Sequence, residues 1–151
     1  MTNQRYSLTF FLIGSAFVVL GGLTAAAVEP LKFPDGSWLA AYLVLVAGVA
    51  QCLFGIVRRY VAPAPATALG FTVELVCWNV GNAAVVVGDL AGIPALVGVG
   101  GALLVVVLVL QLVHLRHVVP GARWAAWLYG IVVAILLVSI PVGIVLAAIG
   151  A

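Results

Sequence analysis

Charged side chains are what this sequence lacks: six Lys/Arg and four Asp/Glu among 151 residues, or 7%. A soluble domain carries about 25%. With 66% hydrophobic residues, the deficit excludes a water-soluble fold, because a domain of roughly 150 residues still exposes about 30% of its unfolded-chain surface. Lipid is therefore the solvent, and 1–151 reads as a single integral membrane domain. The formal charge of +2, without a basic run or basic–aromatic interleaving, excludes a nucleic-acid partner.

Cysteine is equally scarce. Cys52 and Cys77 both fall in apolar segments without CxxC spacing, so no disulfide framework or zinc motif is encoded. They read as small packing residues. Catalytic signatures are missing too: no GxSxG, HExxH, P-loop or strand-to-helix GxGxxG occurs. "GVGG" at Gly98–Gly101 is too short and too deeply apolar to cradle phosphate. The expectation is a non-enzyme with no cofactor.

What is present is long apolar runs. A spanning helix needs about 20 apolar residues, and five segments qualify: 7–28, 37–57, 66–87, 94–115 and 124–149. A four-span count is the alternative. The runs are apolar all round, unlike surface helices. They lack the alternation of barrel strands, so an all-α polytopic bundle is predicted. The breaks "EPLKFPDG", "RRYVAPAP", "GDLAGIP" and "HLRHVVPGAR" are punctuated by proline or glycine. The third is short and weakly polar, which predicts a tight hairpin.

Arg5, Arg58, Arg59, Arg116 and Arg123 occupy the amino terminus and the second and fourth breaks. Lys32, with Glu29, Asp35 and Asp89, falls on the other side. Positive residues stay inside, so the amino terminus is expected in the cytoplasm. The first run, followed by "TAAAVEP", imitates a cleavable signal. Its length favours retention as a span.

Small residues permit close helix approach in lipid. Gly48 and Gly55 lie seven apart, and Gly21/Ala25, Ala84/Gly88 and Gly98/Ala102 have small-xxx-small spacing. These read as internal packing, or alternatively as a homo-oligomer seam. Pro141 removes one backbone bond from the fifth run and should kink it, with Ser139 near the freed Leu137 carbonyl. Trp38, Trp124, Trp127, Tyr42, Tyr60 and Tyr129 gather near run ends, as interfacial anchors do.

One carboxyl is out of place. At 100° per residue, Thr67, Gly70, Glu74, Cys77, Trp78, Gly81 and Gly88 share one helix face, with Asn82 at its edge. This polar-and-small stripe must face protein or a cavity, because an unpaired carboxylate at mid-membrane costs a few kcal/mol. By helical rise, Glu74 lies about 12 Å from the cytoplasmic end of its run, Gln51 about 9 Å, Gln111 about 6 Å and Tyr129 about 8 Å. A polar cluster of Glu74, Gln51, Gln111 and Tyr129 is predicted, with Thr9 as a further contributor. No basic residue is placed at that depth, so Glu74 is expected to be protonated.

His114 and His117 have i, i+3 spacing, which can hold a metal or a haem. They are the sequence's two histidines, and no acidic residue is near in sequence. They read as interfacial residues meeting head groups, and only weakly as metal ligands.

Three function classes remain. The first is a non-catalytic accessory or assembly component of a membrane complex, with a homo-oligomeric or heteromeric partner. The second is an oligomeric small transporter or channel using Glu74 as a proton or cation site. The third is a haem- or metal-binding redox protein. The Ala/Val/Leu/Gly bias suggests a bacterial cytoplasmic membrane.

Overall fold

Five helices are long and apolar enough to cross a membrane. The computed structural model describes residues 2–63 and 67–150, with side chains for 3–63 and 67–145. The helices are α1 (Thr2–Leu31), α2 (Gly36–Val61), α3 (Ala68–Leu90), α4 (Pro94–His114) and α5 (Arg123–Gly150). Among the described residues there is no strand. The chain is a multi-pass membrane protein of all-α architecture. Residues 65 and 66, where sequence places the end of a break and the start of the third span, lie outside the described residues. So do residues 1 and 151, the predicted domain bounds.

The chain divides into two compact units, Met1–Ile56 and Val57–Ala151. In the first, α1 and the larger part of α2 meet through glycines. A Cβ on Gly14 would stand 2.7 Å from the Gly48 carbonyl oxygen, and one on Gly55 2.6 Å from that of Ser7. Only hydrogens fit there, so the two backbones touch. That contact carries attraction where hydrocarbon supplies no hydrophobic drive. Ser7 Oγ also donates to the Gly55 carbonyl at 2.6 Å. Phe10 and Phe54 meet edge to face, with centroids 6.1 Å apart.

α2 is not uniformly α-helical. Leu43–Ala50 and Val57–Val61 are wound as π-helix, in which each N–H reaches five residues back. The Ala62 N–H accordingly donates to the Val57 carbonyl at 2.8 Å. The second π turn carries the span to Val61, past the predicted end at 57. That extension brings Arg58 into the helix.

In the second unit, α3 and α4 form the predicted hairpin. The Gly92 N–H donates to Asp89 O at 3.1 Å and the Ile93 N–H to Gly88 O at 2.7 Å, which is the Schellman closure of a helix end. Gly92 takes φ +64°, a conformation costly for a residue with a Cβ. Pro94 then opens α4 at a position where a missing N–H costs nothing. Gly81 and Gly100 bring α3 and α4 together: a Cβ on Gly100 would stand 2.7 Å from Gly81 O. Gly101 receives Ile140 and Ile144 of α5. Gly98, by contrast, has open space where its side chain would be. α5 continues through Pro141. The Ser139 hydroxyl donates to Leu136 O, 3.0 Å away, rather than to the Leu137 carbonyl that the proline frees. A backbone bond from Val119 N to Val61 O, 2.9 Å, fastens the α4–α5 connection to the end of α2.

Candidate functional site

α3 begins at Ala68 because Thr67 caps it: the Thr67 Oγ1 accepts from Gly70 N at 3.1 Å. Thr67 thus belongs to the helix start and not to the stripe's polar contacts. From there Glu74, Trp78, Gly81 and Asn82 recur at three- and four-residue intervals, with Gly88 two turns beyond Gly81, and all are buried. Glu74 sits six residues into α3, about 9 Å along its axis.

Arg58 meets it there. This arginine is 5% exposed, and its Nη2 lies 2.5 Å from Glu74 Oε2. The same oxygen accepts from Gln111 Nε2 at 3.1 Å. Tyr129, 4% exposed, donates its hydroxyl to Gln111 Oε1 at 3.1 Å. His114 Nε2 stands 3.5 Å from the other carboxylate oxygen, Oε1. Arg58 from the end of α2 and Gln111 and His114 from α4 therefore converge on one α3 carboxylate inside the second unit, and Tyr129 of α5 joins through Gln111. Charge-assisted bonds of this kind are stronger than neutral ones.

Two of these residues escaped the sequence reading. The premise that no basic residue reaches Glu74 is overturned by Arg58. The π turn carries α2 four residues past its expected end at Val57 and so takes both arginines out of the expected loop. Consecutive helical residues point about 100° apart, so one arginine of the pair can face inward while Arg59, which is exposed, remains outside. His114 was assigned to head groups. It lies three residues after Gln111, on the same face of α4, and that spacing was the available signal.

Gln51 belongs to the other unit and is fully buried. Among the described residues neither of its amide atoms has a hydrogen-bond partner. Thr9 Oγ1 donates to Arg5 O within its own helix, at 3.0 Å. Asn82 Nδ2 donates to Trp78 O at 2.7 Å, again within one helix. His117 is exposed on the short 3-10 turn that follows α4. Among the described residues, no group of three or more His, Cys, Asp or Glu side chains could hold a metal ion.

The outermost link of the network is its most removable. Tyr129→Phe deletes the hydroxyl and frees Gln111 Oε1, and the expected loss is about 0.6–1.7 kcal/mol. Denaturant-driven unfolding in mixed micelles measures it. The same substitution in a Gln111→Leu background should cost less, because the acceptor is already gone.

No family model, no curated protein and no solved structure matches this chain.

Proposed function

We propose that this protein is a non-catalytic component of a membrane complex in the bacterial cytoplasmic membrane. In this reading its amino terminus is cytoplasmic, and the Glu74 network serves as an internal clamp. The observation that supports this reading is the occupancy of the carboxylate. Oε2 is taken by Arg58 and Gln111, and Oε1 faces His114. A site for a transported cation needs an oxygen open to the ion and a local charge that is not already neutralised. Here an arginine fills that role. No catalytic residue or cofactor is assigned in this reading, and the clamp leaves the outer helix faces to bind a partner.

Purification in mild detergent followed by mass spectrometry tests the proposal. A stoichiometric heteromeric partner is the expected result. A chain that runs alone, or only with copies of itself, overturns it.

One observation favours a second reading, proton transfer. His114 is 27% exposed at its side chain while touching the carboxylate, so an imidazole that can carry a proton links the buried site to its surroundings. Proton flux into liposomes, lost in Glu74→Gln with the melting temperature retained, would establish this reading in place of the first.

A further inference from the structure

A second feature lies along α5, on a different face of that helix from Tyr129. Tyr129 and Val133 turn inward and are buried. Trp127, Gly130, Ile131 and Ala134 recur at helical spacing on another face, where with Leu115 and Val118 they line an open groove of about 420 Å³. That size is within the range of about 300–1,000 Å³ typical of small-molecule sites. The groove's lining has no charged side chain. Trp127 stands 75% exposed and Ile131 47%. Gly130 keeps the groove open: a Cβ there would meet only Leu115 Cδ1, at 3.8 Å.

The rim is of one sign. Arg123 precedes Trp127 by four residues, which puts it one turn back on the same face of α5. Arg116 adjoins Leu115 in the turn after α4, and His117 follows; all three are exposed. The two acidic residues of this unit are elsewhere: Glu74 is consumed internally and Asp89 lies in the hairpin at the opposite end of α3. An apolar channel that runs into a cationic edge at a membrane boundary matches a molecule with a hydrocarbon tail and a negatively charged head. Trp127 supplies the amphipathic wall that such a boundary favours.

We infer that the groove between the end of α4 and the start of α5 binds one anionic phospholipid, its acyl chain along Trp127, Gly130 and Ile131 and its phosphate between Arg116 and Arg123. Bidentate guanidinium–phosphate pairing holds the head group, its uncompensated negative charge gives the selectivity over a zwitterionic lipid, and the groove gives retention. This lipid site is separate from the Glu74 clamp and stands whether or not the protein joins a complex.

The test uses the full chain reconstituted into vesicles of equal phosphatidylglycerol and phosphatidylcholine. It is then re-extracted gently and examined by native mass spectrometry. The expected result is one retained phosphatidylglycerol per chain, enriched over phosphatidylcholine. Arg116→Gln and Arg123→Gln should each lower the enrichment by roughly fivefold. Gly130→Leu fills the channel and should release the lipid. Gly143→Leu, the same change on the same helix where no atom lies within 4 Å of the added Cβ, should retain it. The melting temperatures of both glycine variants report folding separately. Equal retention of the two lipids, retention by Gly130→Leu, release by Gly143→Leu, or a second copy of the chain held in place of lipid would each overturn the inference.

Discussion

Arg58→Ala should be the most damaging single substitution in the second unit, lowering stability by about 3–5 kcal/mol. The cause is what it leaves behind. Glu74, with 6% of its side chain exposed, would keep only Gln111 and His114 against a carboxylate that water cannot reach. Glu74→Ala should be comparably costly, since it strands the guanidinium. The double variant Arg58→Leu/Glu74→Met removes both charges and fills the space with hydrocarbon. It should recover most of the loss, because apolar replacement of a buried pair is often neutral or better. Reversible unfolding of all three variants in mixed micelles provides the comparison. If the double variant is as unstable as the singles, the pair contributes something beyond mutual neutralisation, and the clamp account is wrong.

The second large effect is steric. Gly100→Val should cost about 1–3 kcal/mol, because its Cβ would stand 2.7 Å from Gly81 O and 2.8 Å from Val85 N. Both obstacles are backbone and cannot rotate away, so α3 and α4 must separate. Gly98→Val, two residues earlier on the same helix, meets no atom within 4 Å and should stay within about 0.5 kcal/mol of the parent. Thermal denaturation in one detergent compares them. Equal losses would mean that glycine acts on α4 through backbone freedom and not through contact with α3.

The five spans could be read from composition because lipid imposes a single demand, and runs of Val, Leu and Ala answer it everywhere along the chain. The α3–α4 hairpin was equally legible, since Gly92 and Pro94 have local conformational requirements. Glu74 stood out because its cost in hydrocarbon is large, and matched depth on α4 and α5 nominated Gln111 and Tyr129. Arg58 was hidden by a different kind of fact. Whether a helix ends before or after a charged residue depends on whether that charge finds a partner, and this partner lies sixteen residues away on another helix. The π-helical turn that carries the chain to Val61 has no local sequence signature either. Gln51 marks the same limit from the other direction: matched depth nominated it as a partner, but depth does not fix the direction a side chain takes.

The closed turn at Gly88–Pro94 bears on how the chain enters its membrane. With so little polar matter between them, α3 and α4 are expected to leave the translocation machinery as a pair. Before α4 is made, Glu74 has Arg58 of α2 to pair with but neither Gln111 nor His114, and a charged group at the bilayer centre costs a few kcal/mol. Its α4 partner Gln111 is synthesised 37 residues later. Nascent chains arrested before that residue should therefore stay beside the translocon, and those extended past it should partition into lipid as a helical hairpin.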